Sequence, residues 1–277
     1  MNICTNTKFL FILTSSDKIE DRFLYDAEIC IHTIHGKGVQ LNDIIIATDS
    51  DNSMILAKCP SMRGAIFVSS QQLLEEIHSI ECENLIILTD CHGSIYGIDA
   101  KSPIKPYPFT EAIKNNKVAK NVVVFFGQCY AGIYNWVDVR QEEKNIIYIG
   151  ATGFDSSLSY GLSGIQWSAN ISLIAFFNWL SDPKDIDGDG VLTVMDLYKY
   201  IAVFTNNVTD DIEKQQTSKL VDAKVDLRLA MKERGGSTDS RTKLEQEAIE
   251  ALENFIIPHQ DPWLLNAFSA QQVQFEY

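Results

Sequence analysis

The stretch that decides the fold is Asn121-Val-Val-Val-Phe-Phe-Gly127, the most strand-like run of the sequence, which leads into Cys129. A second run, Asn84-Leu-Ile-Ile-Leu-Thr89, leads into His92. Continuous apolar runs of this kind are typical of strands buried on both faces of a parallel sheet. Because parallel strands end at the same edge of a sheet, Cys129 and His92 are expected to lie at one edge, where such folds place their reactive residues.

Further apolar runs alternate with helix-like stretches along most of the chain. The predicted strands are Lys8–Leu13, Asp43–Thr48, Gly64–Ser69 as an edge strand, and Asn145–Gly150. The predicted helices are Asp21–Ile34, Gln71–His78, Phe109–Val118, Ser168–Leu180 and Val194–Phe204. This alternation predicts an α/β fold in which helices sandwich a mostly parallel central sheet.

The length of 277 residues suits one large α/β domain, and we predict that residues 1–277 form a single domain. Residues 211–254 are rich in charged, helix-favouring side chains and predict two surface helices, an insertion with an exposed joint at Gly235–Asp239. The apolar tail Phe255–Trp263 is expected to pack against the sheet.

Charge and composition exclude several classes of function. The 23 basic and 37 acidic residues give a net charge of −14, which would repel the phosphates of nucleic acid. The apolar runs are too short to cross a bilayer, so no membrane partner is expected, and Lys8–Leu13 lacks the features of a secretory signal. The six cysteines show no paired spacing, which indicates reduced thiols and a cytoplasmic location.

The pairing of a cysteine with a histidine indicates nucleophilic chemistry. A thiol becomes a strong nucleophile beside a base, and imidazole is the usual partner. Gly93 lets the backbone N–H after His92 point into the site, and the N–H of Cys129 offers a second donor for an oxyanion. An isolated cysteine and histidine are more often structural than catalytic. The motifs that surround them therefore decide between the two interpretations.

Those motifs resemble the caspase–legumain superfamily of cysteine peptidases. Thr89-Asp-Cys-His-Gly-Ser94 is similar to the Thr-Asp-His-Gly-Ser run of legumain, with Cys91 as an extra residue before the histidine. Gln128-Cys-Tyr-Ala-Gly132 resembles the caspase Gln-Ala-Cys-x-Gly and the legumain Ala-Cys-Glu-Ser-Gly stretches. The resemblance covers about residues 8–180 and includes similarities at Arg22–Ala27 and Ala151–Ser157.

The resemblance implies a caspase-like fold with His92 as general acid/base and Cys129 as nucleophile. It also implies that Asp155, Ser156 and Ser157 line the substrate cleft. No cofactor is required for such chemistry, and the partner is a protein or peptide substrate.

Substrate selection centres on Arg22, which falls where the family places an arginine in the pocket for the residue before the cleaved bond, P1. A guanidinium there would bind a carboxylate in a bidentate pair. Legumain adds acidic residues that let its pocket take Asn. One of these positions falls at Gly127 and the other near Ile165 or Gln166, so both acids are expected to be missing here. We therefore expect Asp or Glu at P1, with Asn less favoured. The alternative is a surface arginine paired with the carboxylate four residues on, at Asp26.

An aspartate-rich loop after residue 184 resembles a calcium-binding EF-hand loop. Alternating carboxylates surround one cation in such loops, and a glycine makes the sharp turn. The last position carries aspartate where glutamate is usual. The loop therefore either binds a structural Ca²⁺ ion or is a turn that caps the following helix. The candidate ligands are Asp185, Asp187, Asp189, Val191 and Asp196.

The function expected from the sequence is that of a cytoplasmic cysteine endopeptidase. A transpeptidase or ligase of the same fold is the alternative among enzymes, because an amine can resolve an acyl-enzyme in place of water. A catalytically silent, calcium-binding interaction module is the alternative outside enzymes. Control by an activating partner or by self-processing stays open.

Overall fold

The computed structural model describes residues 1–157, 159–161, 164–232, 238–253 and 260–276. Helices and strands alternate along the chain as the sequence predicts. They are β1 (Thr7–Leu13), α1 (Asp21–Gly36), β2 (Ile44–Thr48), α2 (Asn52–Lys58), β3 (Ile66–Val68), α3 (Leu73–Ser79), β4 (Asn84–Thr89), β5 (Gly93–Ser94), β6 (Gly97–Ile98), α4 (Pro106–Asn115), β7 (Asn121–Phe126), β8 (Asn145–Gly150), β9 (Ser159–Gly161), β10 (Ser168–Asn170), α5 (Ile171–Ser181), α6 (Val194–Lys232), α7 (Thr238–Glu253), β11 (Trp263–Leu265) and α8 (Ala267–Gln272).

Seven strands form one sheet in the order β11-β8-β7-β4-β1-β2-β3. All neighbours from β8 to β3 pair in parallel, and only the edge strand β11 is antiparallel, on β8. The prediction of an α/β fold with a mostly parallel sheet flanked by helices is confirmed. The strand β3 lies at an edge, as its short apolar run predicts.

The core lies on both faces of the sheet because the side chains of each strand alternate between them. In β7, Val123 and Phe125 face one side, which α1 and α5 cover. Val122, Val124 and Phe126 face the other side, which α3 and α4 cover. These side chains are fully buried, which explains why the central strands read as continuous apolar runs.

Helix boundaries depart from the predictions where capping residues act. The apolar stretch after residue 167 begins as β10, and α5 starts only at Ile171 because the Asn170 side chain accepts from the Leu173 N–H at 3.2 Å. Helix α4 starts earlier than predicted, at Pro106, since proline is favoured in the first helical turn. Helix α6 continues beyond Phe204 to Lys232.

The chain divides into two compact units, residues 1–204 with 260–277 and residues 205–259. The second unit contains the charged segment 211–254, whose two predicted helices correspond to the end of α6 and to α7. Most of the predicted joint, the last residue of the charged segment, and residues 255–259 of the tail lie outside the described residues. Among the described residues, no helix combines the length and apolar character needed to cross a lipid bilayer.

Candidate active site

The two motif-bearing turns meet at the carboxyl edge of the sheet. Strands β4 and β7 are neighbours in register, with Thr89 opposite Phe126, so both turns start at the same level. Gly93 lies directly against the second turn, and a Cβ atom at this position would overlap the carbonyl oxygen of Cys129. The structure therefore brings the His92-Gly93 turn and the Cys129 turn into backbone contact, and only glycine fits at the point of contact.

The imidazole of His92 has a carboxylate partner. Its Nε2 lies 2.6 Å from Oε1 of Glu20, the residue that precedes helix α1. The edge of the Phe23 ring packs against it, with centroids 5.1 Å apart and the rings nearly perpendicular. A carboxylate at Nε2 favours the proton on that nitrogen, which leaves Nδ1 as the basic nitrogen. The side chain stays 45% exposed, so substrate can reach it.

Cys129 is held by the segment that follows β8. Its half-buried Sγ accepts from the N–H of Ser157 at 3.3 Å. The next residue, Tyr130, has left-handed backbone angles, and its N–H donates to the carbonyl of Asp155 at 2.9 Å. Gly132 donates in the same way to Gly153 at 2.8 Å. Among the described residues, the structure gives His92 and Cys129 separate hydrogen-bond partners and does not join the two side chains to each other.

The residues predicted to line the cleft therefore lie beside the thiol. Ser157 contacts Cys129 directly through its backbone N–H. Asp155 is exposed, and its Oδ1 accepts from the N–H of Ser156 at 2.8 Å, which shapes the turn. The three residues thus form one side of the nucleophile's surroundings, while their contact with a substrate stays a prediction.

Arg22 shares the carboxylate of Glu20 with the histidine, and its hydrogen bonds go to Glu20 and Ser159. Its Nε donates to Oε2 of Glu20 at 2.6 Å, and one terminal nitrogen donates to the hydroxyl of Ser159 at 2.6 Å. The guanidinium also stacks over Phe23, 4.1 Å from the ring centroid. The alternative of a hydrogen-bonded pair with Asp26 is not what the geometry shows. The side chain remains 27% exposed.

Glu20 is a candidate site residue that the sequence did not predict. One carboxylate oxygen faces His92 and the other faces Arg22, so this side chain couples the candidate base to the candidate specificity residue. The hydrogen bond from Arg22 lowers the pKa of the Glu20 carboxyl, and His92 adds to the effect. The only sequence signal was an acidic residue two positions before the arginine, at a helix start.

Gly127 bears on the shape of the predicted P1 pocket. A Cβ atom here would come within 2.5 Å of the Thr89 carbonyl oxygen and 2.8 Å of the Asn170 side-chain nitrogen. A carboxylate side chain at this position would therefore require movement of β4. The packing thus agrees with the absence of an acidic side chain two residues before Cys129.

Four of the other thiols of the chain are buried. Burial raises the pKa of Cys59 to about 12 and that of Cys82 to about 11. Burial also raises the pKa of Cys30 and of Cys91, which directly precedes His92. Thiols in such surroundings remain protonated and unreactive. Of Cys91 and Cys129, the two cysteines in these turns, Cys129 is the partly exposed one, and its thiol accepts the hydrogen bond from Ser157.

The aspartate loop brings three of its predicted ligands together. The carboxylates of Asp185, Asp187 and Asp189 offer oxygens within 4.8 Å of one another. Asp187 also pairs with Lys199 at 2.7 Å. Asp196 is not in this group. Its buried carboxylate accepts from the backbone N–H groups of Ile186 and Thr193 at 2.9 Å each, and from the Thr193 hydroxyl.

Asp196 and Thr193 form a reciprocal cap at the start of α6. The Asp196 N–H donates back to the Thr193 hydroxyl at 3.3 Å, which is the arrangement of a capping box. These hydrogen bonds lower the pKa of the Asp196 carboxyl although burial opposes the shift. The loop therefore contains a carboxylate cluster at its start and a helix cap at its end. Val191 lies between them, and its N–H donates to Asp189 at 2.8 Å.

Comparison with known proteins adds no assignment. The sequence matches no protein-family model, and no curated protein is significantly similar to it.

Proposed function

We propose that this chain is a cysteine endopeptidase of the caspase-like fold. The observation that carries the proposal is the backbone contact between Gly93 and Cys129, which joins the two turns at the carboxyl edge of a parallel sheet. That edge is where open α/β sheets place their reactive groups. The accessible Cys129 thiol and the carboxylate-paired His92 supply the nucleophile and base that peptide cleavage needs.

The proposed reaction starts with proton transfer from the Cys129 thiol to Nδ1 of His92. The thiolate attacks the carbonyl carbon of the scissile peptide bond, and the backbone N–H groups of Gly93 and Cys129 stabilise the oxyanion. The C–N bond then breaks, and the imidazolium gives its proton to the departing amine. Water, deprotonated by His92, hydrolyses the thioester and returns the free thiol.

Glu20 acts in this scheme as the positioning residue for His92. Its carboxylate holds the Nε2–H, fixes the ring orientation and stabilises the imidazolium that forms during the reaction. Its second oxygen engages Arg22, so an acidic P1 side chain has to share or replace this contact. We propose Asp or Glu at P1, with the guanidinium as the recognition element and Asn as the weaker choice.

The direct test is a peptide library incubated with the natural protein, with cleavage sites read by mass spectrometry. Cleavage after acidic residues supports the proposal, and the absence of any cleavage under reducing conditions, with and without Ca²⁺, contradicts it. Adding a peptide with a free amino terminus separates the alternatives among enzymes. Joined products indicate a ligase, whereas cleaved products alone indicate a peptidase.

Glu20→Gln should lower kcat by about tenfold, because the neutral amide still accepts the His92 proton but no longer stabilises the imidazolium. The half-exposed position keeps the effect well below that of a buried carboxylate. KM for an Asp-P1 peptide should not rise, because Arg22 loses a competing charge. Glu83→Gln removes an acid that pairs with Lys120 at the opposite edge of the sheet and serves as the control. An unchanged kcat for Glu20→Gln would remove Glu20 from the mechanism.

We also propose that the cluster of Asp185, Asp187 and Asp189 binds Ca²⁺, displacing Lys199 from Asp187. Oxygen ligands in a flexible loop suit Ca²⁺ better than Mg²⁺. Ca²⁺ at a hundred times its Kd should raise stability by about 2.7 kcal/mol, seen as a higher Tm that chelation reverses. Asp187→Asn should remove most of this increase, while Asp182→Asn, outside the cluster, should keep it. Equal melting curves with Ca²⁺ and with chelator would leave the loop as a capped turn.

A further inference from the structure

Two buried carboxyl groups lie behind the candidate active site, and the proposed reaction uses neither. Asp26, on helix α1, is 1% exposed, and Asp90, directly after β4, is also 1% exposed. The two carboxyl groups share Asn170 as a partner, which donates its backbone N–H to Asp26 at 2.8 Å and its side-chain amide to Asp90 at 3.2 Å. Two buried carboxyl groups that are neighbours in this way do not both ionise readily, because two like charges would lie close together without solvent.

The hydrogen bonds around the pair leave one carboxyl oxygen without a donor. Both oxygens of Asp26 already accept, Oδ1 from the Trp167 indole N–H at 2.7 Å and Oδ2 from the Asn170 N–H at 2.8 Å. Oδ1 of Asp90 accepts from the Asn170 side chain at 3.2 Å. Oδ2 of Asp90 is buried and has no donor among the described residues. A proton on this oxygen would remove its negative charge and make it a donor, for which the neighbouring Asp26 carboxylate is the available acceptor.

The charged groups around the pair do not cancel the tendency of Asp90 to keep its proton. Arg22, on α1, favours the ionised form of both carboxyls, but burial and the neighbouring Asp26 raise the pKa of Asp90 nevertheless. The thiols of Cys30 on α1 and Cys91 after β4 face the pair, and burial raises their pKa values so that they stay neutral. The neighbouring groups from β10 and from the residue after β7 are those of Asn170 and Gly127, and both are uncharged.

The pair holds a specific piece of the cleft in place. Strands β9 and β10 form an antiparallel ribbon, in which Asn170 is opposite Ser159. Asp26 binds the backbone of Asn170 and the indole of Trp167, which also packs on Tyr25 of α1 with centroids 5.2 Å apart. At the other strand, Ser159 receives the hydrogen bond from Arg22. The ribbon that positions Arg22 is therefore anchored through Asp26.

We propose that Asp26 and Asp90 share one proton, and that this proton keeps the β9–β10 ribbon docked on helix α1. Loss of the proton leaves two negative charges on neighbouring buried carboxylates and releases the ribbon, with Ser159, from Arg22. The pair is thus a positioning element for the candidate specificity site and makes that site sensitive to pH. The anchoring does not depend on peptidase activity, so it is testable if no substrate is found.

The sign of the pH effect follows from proton binding. Above the ordinary Asp value near 3.8, the unfolded chain has lost the Asp90 proton while the folded chain retains it. Thermal stability should therefore fall as the pH rises through this window and level off once the folded chain has released the proton. Asp90→Asn replaces the shared proton with a permanent amide donor, so this part of the pH dependence should disappear.

The experiment compares the natural protein with Asp90→Asn between pH 4 and pH 9. Tm, Trp167 fluorescence and hydrogen exchange at the Asn170 amide are followed, and Trp167→Phe identifies the fluorescence signal. In the natural protein, exchange should accelerate about tenfold or more beyond its intrinsic pH dependence, and the Trp167 emission should shift to longer wavelength. Asp90→Asn should show neither change, whereas Asp210→Asn, which removes an exposed acid, should behave like the natural protein.

Identical pH transitions in the natural protein and in Asp90→Asn would overturn the proposal. If Asp90→Asn does not fold, carboxyl-carbon NMR of the natural protein gives the decision. One carboxyl that titrates far above the ordinary Asp range supports the shared proton. Ordinary titration of both Asp26 and Asp90 contradicts it. A failure of peptide cleavage leaves these outcomes unaffected, so the two proposals can fail separately.

Discussion

Cys129→Ala should reduce peptide cleavage by roughly a thousandfold or more, because removal of the nucleophile from a nucleophile–base unit abolishes the covalent route. The fold should persist, since the half-buried thiol makes one hydrogen bond, from the Ser157 N–H. The loss of stability should stay near 1 kcal/mol, within the range of ordinary substitutions. Rates and melting curves of the same preparations separate the two effects.

Cys91→Ala is the matched control for this experiment. Cys91 is the thiol next to His92 in sequence, but it is buried and its pKa is raised. This variant should melt earlier because of the cavity and keep most of its kcat. Near-normal turnover by Cys129→Ala, or loss of turnover in folded Cys91→Ala, would show that the nucleophile is not Cys129.

Arg22→Ala should lower kcat/KM for an Asp-P1 peptide by roughly 30-fold or more, and the effect on an Asn-P1 peptide should be smaller. A charged pair in a partly desolvated pocket contributes on the order of 2–5 kcal/mol when one partner is truncated. Arg22 and His92 contact the same carboxylate, that of Glu20, so in the proposed site the guanidinium is expected near the reacting bond. Arg140→Ala, which removes an exposed arginine paired with Asp138, should leave kcat/KM unchanged.

Two results would contradict the proposed role of Arg22 in substrate recognition. A library preference for Lys or Arg at P1 would require an acidic pocket, with Glu20 or Asp155 as its carboxylate. An equal loss for Asp-P1 and Asn-P1 peptides would show that Arg22 acts only through Glu20 and the histidine. Either result would remove the guanidinium from the role of substrate recognition.

The central sheet and the positions of the two turns that carry His92 and Cys129 were predictable because their signals are local. Each buried strand is a continuous apolar run, and the order of runs along the chain defines the parallel sheet. His92 and Cys129 each follow such a run directly. Once β4 and β7 are identified as parallel strands, the two turns are expected at the same edge of the sheet. That β4 and β7 are adjacent strands is known only from the strand order of the structure.

The contacts that tune the site were not predictable, because they join residues distant in sequence. Glu20 meets His92 across 72 positions, and Trp167 meets Asp26 across 141. No period or spacing in the sequence encodes such contacts, which depend on how α1 packs on the sheet. Arg22 illustrates the limit: its place near the site came from a resemblance, whereas its actual partners required the structure.

The aspartate loop shows that one sequence pattern can predict two structural roles, a cluster of carboxylates and a helix cap. The spacing of Asp185, Asp187 and Asp189 predicts a cluster, which the structure contains. The same pattern assigns Asp196 as a ligand, but a carboxylate three residues after Thr193 is also what a capping box requires. The backbone hydrogen bonds, seen only in three dimensions, show which use the chain makes of Asp196.

Covalent labelling with a peptidyl electrophile bearing Asp at P1 tests the proposed active site most directly. Mass spectrometry of the digested natural protein should show one adduct per chain, on the peptide that contains Cys129. Labelling should be lost in Cys129→Ala and strongly slowed in His92→Ala, while Cys91→Ala should label normally. No adduct at Cys129, or modification at the exposed Cys4 alone, would contradict the assignment of this site as a cysteine peptidase.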